Sequence, residues 1–365
     1  MKTNKKYGIG KYSVNQLLPE LMNTPSPSGY ESGCIEILEK YLNTKATYID
    51  RQGNTVFYIP GTGEDRIQVL LTAHMDELGY QIQEIHDTGL LSFITIGGVD
   101  KKVLPGQDVE IHTKGGKVKA VIGKKPIHCE TPEERDSVCK LETLLIDAGC
   151  TSKDEAKQLG IEVGDIVVPR SNANPKFGFA GSCISGRGLD DKSGIVSCIE
   201  AAAWIKEHTL QGVDLYVAAL TQEEVGLRGA TKLARAVENK LGIEFTYAID
   251  VDVTFCTDEG KGIEPGKYGN VKLGSGPVIF HGPDCCPRLV SLLTDASKSG
   301  DIKVQHACSR PGGTNTTALQ DNLIDAWTGH IGIPNRNMHT PVEICSWRDI
   351  EGTVKLIIEF LENLK

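Results

Sequence analysis

Two adjacent glutamates, Glu223 and Glu224, follow directly on an apolar run, residues 213–220. Eight residues of that type, with Gly212 before them and polar residues after, read as a buried strand. Like charges at the end of such a strand raise each other's pKa, and burial adds to the cost. A cation removes that cost, because one glutamate can bind it while its neighbour stays free to move protons. The chain supplies further ligand types in comparable places. A largely apolar run, 67–73, leads into His74-Met75-Asp76-Glu77, and residues 247–249 lead into Asp250-Val251-Asp252. The loop Gly186-Arg187-Gly188-Leu189 leads into Asp190-Asp191-Lys192-Ser193-Gly194 and a helical pattern, and Pro334-Asn335-Arg336-Asn337-Met338 leads into His339-Thr340-Pro341. Imidazole with carboxylate, and no thiolate, suits zinc, cobalt or manganese in a hydrolytic site.

Each piece alone has an ordinary reading. A Glu-Glu pair can be a solvated loop, and His74 a hydrogen-bonded core histidine. Asp190-Asp191 can cap a helix, and Asp250 and Asp252 can simply end a strand. Five ligand-type sites at element ends are harder to explain separately than together.

The elements that must hold these residues alternate. Residues 14–22 and 34–42 carry helical apolar spacing, with the turn Pro25-Ser26-Pro27-Ser28-Gly29 between them. From 79 to 180 the texture changes to short β-type runs (91–96, 108–112, 118–122, 166–169) broken by Gly-rich turns, with one short helix at 152–160 and a mobile-looking stretch at 128–140. From Asp190 the helix–strand pattern resumes: helices at 191–208, 229–240, 287–299 and 349–364, strands at 213–220, 245–251 and 302–306. The reading is an α/β protein. A discontinuous catalytic domain, residues 1–78 and 181–365, has a central mixed sheet flanked by helices, and residues 79–180 form an inserted small β-barrel or sandwich. The ligand types lie beyond strand ends, where open α/β sheets bind their ligands.

A chain of 365 residues is long enough for two domains. Its net charge of -9 argues against nucleic acid or an anionic membrane surface as partner. No apolar run approaches the roughly 18 residues of a membrane helix, and the first residues, Met1 to Lys11, carry no apolar signal core. The 11 cysteines include no Cys-x-x-Cys, and Cys285 and Cys286 are adjacent. Free thiols in a reducing, cytoplasmic setting account for them.

These motifs, in this order, resemble the tetrahedral (TET) metallo-aminopeptidases, which include glutamyl, leucyl and deblocking aminopeptidases. The resemblance covers nearly the whole chain. It also takes in Pro27-Ser28-Gly29-Tyr30-Glu31, Gly97-Gly98-Val99-Asp100, Val103-Leu104-Pro105-Gly106-Gln107, Lys125-Pro126-Ile127-His128 and Gly312-Gly313-Thr314-Asn315. Its most specific strings are Glu223 to Ala230 and Met338 to Glu343. The resemblance implies two divalent metal ions, zinc with cobalt or manganese as substitutes, bridged by Asp190. His74 and Asp252 complete one, Glu224 and His339 the other, with the pairing of terminal ligands less firm than the set. Glu223 is then the general base, and Asp76 orients the His74 imidazole. Asp252 is preferred to Asp250 because Asp252-Val253-Thr254 with Asp258 matches the family string, where Asp250 replaces an apolar residue. Parity puts both on one side of the strand, so Asp250 stays a minor candidate. Asn315 stands where the family often has aspartate. The family further implies dimers formed through the β insertion and a hollow dodecamer of six dimers.

The activity implied is removal of N-terminal residues from peptides. The same ligands serve two-metal dipeptidases, carboxypeptidases and deacylases, which the insertion and flanking strings disfavour. A glycoside hydrolase would need two carboxylates and no metal, and a binding protein would not need an intact Glu-Glu pair. Loops including 262–275 are expected to shape the specificity pocket.

Overall fold

The computed structural model describes residues 14–170, 173–260, 262–308, 313–323 and 325–364. Two helices, α1 (Val14–Met22) and α2 (Ser32–Leu42), open the described chain, followed by strands β1 (Tyr48–Ile49), β2 (Thr55–Ile59) and β3 (Thr62–His74). Then come β4 (Gly79–Ile85), β5 (Leu91–Ile96), β6 (Asp108–Thr113), β7 (Gly116–Gly123), β8 (Leu145–Asp147) and β9 (Ile166–Pro169), with the short helices α3 (Pro132–Arg135) and α4 (Lys153–Gln158) on either side of β8. β10 (Asn174–Phe177), β11 (Cys183–Gly186), α5 (Leu189–His208), β12 (Gln211–Leu220), α6 (Arg228–Leu241), β13 (Tyr247–Phe255), α7 (Pro265–Tyr268) and β14 (Val278–His281) continue the chain. It finishes with α8 (Pro287–Ser299), β15 (Gln305–Cys308), α9 (Asn315–Asn322), β16 (Trp327–Arg336), β17 (Glu343–Ser346) and α10 (Trp347–Glu362).

β4 to β9 close into a six-stranded barrel, and the other strands make one mixed sheet of eleven. The sheet runs β1-β2-β12-β3-β13-β16-β17-β11-β10, with β14 and β15 branching from β16. Its centre, β12-β3-β13-β16, is parallel. β12, β13 and β16 are buried along most of their length and β3 over its last six residues, as helices on both faces require. One face packs against α1, α5, α8 and α10, whose apolar residues join the largest core cluster. α6 and α9 cover the other face through Leu233, Val237, Leu319 and Leu323. In α1 the spacing Val14, Leu17, Leu18, Leu21 gives one apolar stripe, and all four are buried. The barrel has its own core, in which Tyr80, Ile82, Val109, Ile111, Ile122 and Ile146 point inward at alternate strand positions.

Several expectations need adjustment. β4 and β8 complete the barrel from segments in which no strand was expected, and the sandwich alternative falls. β10 pairs with β11 at the edge of the main sheet rather than in the barrel. The segment 128–140 includes α3, capped on both sides: Thr131 Oγ1 accepts from Glu134 N, and the Glu134 carboxylate accepts from Thr131 N. The short strand expected at 302–306 lies at Gln305–Cys308. No helix among the described residues is long and apolar enough to cross a membrane, and all 11 cysteines are free.

Candidate active site

Strand register brings the ligand types together. His74 is the last residue of β3 and pairs with Leu220, the last of β12. Thr221 to Glu224 continue from that point. On the other side Asp250 pairs with Thr72, so Asp252 stands level with His74. Asp252 is therefore inside β13, which extends to Phe255, and not beyond a strand end as expected. Asp190 enters from the start of α5, and His339 from the turn between β16 and β17. Asp190 and Asp191 have non-helical backbone angles and are joined by a cis peptide. His339 is left-handed, at φ 61°.

Asp190 is the centre. Its Oδ1 lies 3.1 Å from His74 Nε2, and its Oδ2 lies 3.3 Å from His339 Nε2. His74 Nε2 is also 3.7 Å from Asp252 Oδ1, and His339 Nε2 is 3.7 Å from Glu224 Oε2. Two clusters result, His74-Asp190-Asp252 and Asp190-Glu224-His339, each with its ligand atoms within 4.8 Å of one another. They share Asp190 through different oxygens.

The residues fit divalent cations. The donors are two imidazoles and three carboxylates, a set that suits zinc and its first-row neighbours. Glu224 Oε1 is buried without a hydrogen-bond partner among the described residues. Negative charge is crowded. Burial, with Asp252, Asp190 and Asp76 adding, drives the Glu223 carboxyl up to about 9 against the opposing influence of His74. Burial likewise carries Glu224 far above the carboxylate range, and raises Asp252. For Asp190 the hydrogen bonds from His339 and His74 outweigh burial and hold it low. Burial would lower His74, but its contacts with Asp190, Asp252 and Asp76 carry it well above the usual histidine value. In that arrangement protons do what a cation does when bound.

Residues 53–356 match the model of the M42 glutamyl aminopeptidases. The chain belongs to that family. It is 32% identical over 361 residues to the lysyl aminopeptidase of Pyrococcus furiosus, covering 96% of this chain and 97% of that protein. Among solved structures it is similar to the TET aminopeptidase of a marine-sediment Thaumarchaeota archaeon, with TM-score 0.86, 31% identity and 96% of both chains covered. It is also similar to the TET1 peptidase of Pyrococcus horikoshii, with TM-score 0.82, 33% identity and 96% and 100% covered. The chain is thus a metal-dependent aminopeptidase of the M42 family, a peptide hydrolase.

The residues around the ligands in this M42 aminopeptidase do more than their spacing suggested. Asp76 was expected to orient His74 through its carboxylate. The shorter contact from His74 Nδ1 is instead to the Asp76 backbone oxygen, at 3.0 Å, with the carboxylate at 3.4 Å. The carboxylate itself accepts from Glu223 N at 3.0 Å, Glu224 N at 3.1 Å and Ser28 Oγ at 2.7 Å. It fixes the Glu223-Glu224 backbone. Asp191 accepts from Gly194 N and His74 N, so it caps α5 and also holds a ligand's backbone. Glu343 accepts from Asp190 N and His339 N; burial and the neighbouring Asp190 push its carboxyl up to about 8. Its place in the Met338-to-Glu343 string was the signal for it. Asp250, one strand repeat below Asp252, takes a 2.6 Å hydrogen bond from Thr72 Oγ1 and does not join either cluster. Asn315 is buried, and neither amide atom has a partner among the described residues; Gly312 of the same string lies outside them.

A cavity opens beside Asp190, Glu224 and His339. Its far wall is Tyr80, Val99, Val103 and Gln107 of the barrel unit, with Leu78 and Pro341 between. None of residues 262–275 lines it. Gly97 explains the close approach of the barrel: a Cβ there would lie 2.4 Å from Leu78 Cδ2 and 3.3 Å from Glu224 Cβ.

Proposed function

We propose that this aminopeptidase works with two divalent ions, zinc in the first place, held by His74, Asp190 and Asp252 on one side and by Asp190, Glu224 and His339 on the other. The observation that carries the proposal is the division of Asp190, Oδ1 towards His74 and Oδ2 towards His339. When bound, such ions supply Lewis acidity that acidifies the attacking water and polarises the scissile carbonyl. The chain's own part is proton transfer and positioning. Glu223 ligates neither cluster and stands next to a ligand, so its carboxylate takes the proton from the attacking water and returns it to the leaving amine. Asp76 holds Glu223 and Glu224 in place through their backbone N–H groups. Glu343 does the same for Asp190 and His339. The cavity towards the barrel accommodates a substrate residue against the apolar Val99, Val103 and Pro341.

Residues 1–78 and 181–365 form the catalytic domain under this proposal, and 79–180 the insertion, from which β10 reaches across to the main sheet. The insertion exposes Ile94, Val121, Ile127, Val138, Leu159 and Val163, an apolar load that pairing between subunits would cover. The Pyrococcus horikoshii relative can assemble into a tetrahedron or a large octahedral shell. Self-association through the insertion to a dimer, and on to a dodecamer, is proposed here too, in a cytoplasmic setting.

The test is a panel of aminoacyl-p-nitroanilides and their N-acetylated counterparts, with and without chelator. Chelator-sensitive release from free-amine substrates alone, restored by zinc or cobalt, is expected. Turnover of acetylated substrates would replace the aminopeptidase reading with a deacylase or endopeptidase.

A further inference from the structure

A second group of metal-ligating side chains lies away from the active site. β14 and β15 are parallel and in register, with Ile279 opposite His306 and His281 opposite Cys308. Residues two apart on a strand share a face. His281, His306 and Cys308 therefore all project from one face of this two-stranded ribbon. All three are exposed. Among the described residues β15 pairs with β14 alone, so β15 is the open edge of its branch of the sheet. It lies three strands from β13, roughly 14 Å at the usual inter-strand spacing.

The two imidazoles have already converged. His281 Nε2 is 3.0 Å from His306 Nδ1, with the ring planes inclined at 48°. Two nitrogens that each bind one tetrahedral zinc ion at about 2.0–2.1 Å are separated by roughly 3.3 Å. An ion can thus enter with a shift of a few tenths of an ångström. Cys308 stands directly across from His281, but its sulfur lies more than 4.8 Å from at least one of the two nitrogens, so closing the site needs rotation about the cysteine's Cα–Cβ bond.

We propose that His281, His306 and Cys308 form a third metal site, for a borderline-to-soft transition ion such as Zn(II), with water as the fourth ligand. Nitrogen, nitrogen and thiolate donors select this class over magnesium or calcium. The donor set differs from that of the catalytic clusters, which contain no sulfur, and the two can be told apart spectroscopically.

The experiment is titration of the metal-free, reduced full-length protein with Co(II), read by near-ultraviolet absorption and by equilibrium dialysis. A thiolate-to-cobalt charge-transfer band is expected, with one more equivalent bound than the catalytic ligands account for. Cys308→Ser should abolish the band. His281→Ala with His306→Ala should remove one equivalent, while kcat/KM on an aminoacyl-p-nitroanilide stays within about twofold of the parent. The single histidine variants should each weaken this binding by at least the 10–100-fold that outer-sphere partners of a metal site cost. Absence of the band in the parent protein would overturn the site, as would a band that survives Cys308→Ser. Both outcomes are independent of the catalytic clusters, whose occupancy is followed by turnover in the same samples.

Discussion

The two halves of the catalytic cluster are built from different materials. His74 and Asp252 belong to adjacent parallel strands, and their side chains are 1% and 7% exposed. Glu224 and His339 lie on turns beyond strand ends, and the His339 side chain is 39% exposed. The ladder hydrogen bonds of β3 and β13 fix the first pair. The second pair has no ladder, and depends on Asp76 and Glu343 to hold its backbone. The contrast teaches how one site can be both rigid and open. The strand half fixes where the chemistry happens, and the turn half faces the cavity through which a substrate arrives.

Variants can break this comparison at graded points. Asp190→Ala removes the residue common to both halves. Metal content measured by atomic emission should fall to near zero, and kcat/KM should fall by about three orders of magnitude or more. Glu223→Gln touches neither half's ligands. Both ions should be retained while kcat falls by about 10²–10⁴, and near-parental turnover would remove Glu223 from the base role. The histidines then separate the halves. His74→Ala leaves Asp190 and Asp252 buried without their shared partner, so the metal-free protein should melt several degrees lower. His339→Ala removes a half-exposed ring, and the metal-free melting temperature should change by about a degree or less. Equal shifts in the two variants would mean that the distinction between strand half and turn half has no energetic content. Glu343→Gln is the mildest change. Its amide nitrogen cannot accept a hydrogen bond, so the bond from either Asp190 N or His339 N is lost, and metal affinity should weaken by about tenfold with little loss of kcat at saturating metal.

Much of this arrangement can be read in the sequence, and the rest is hidden for identifiable reasons. α1 and α8 have the bounds that their apolar spacing predicts, Val14–Met22 and Pro287–Ser299. The five ligand candidates, chosen by residue type at element ends and by family strings, do converge. Asp252 converges for a different reason, register within a strand rather than position after one. β16 shows no clean period, because its His330, Pro334 and Asn335 interrupt the apolar run although all three are buried; tertiary burial overrides local pattern there. Asp76 holds Glu223 N and Glu224 N, Asp191 holds His74 N and Glu343 holds Asp190 N, all of them far away in the chain. No local spacing encodes such partners, and only folding makes them adjacent.

The chain crosses between the two units beside its ligands. It leaves the main sheet through Met75 to Leu78, just past His74, and it crosses from β11 into α5 through Arg187 and Gly188, just ahead of Asp190. These two crossings are clasped together: Glu77 pairs with Arg187 and, at 3.1 Å, with Lys192, all of them buried, and Lys192 also donates to Thr24 O. Such a clasp resists loosening, because freeing one member strands the others' charges out of reach of water. The exit towards the barrel is therefore tied to the segment that delivers Asp190, and the two move as one piece.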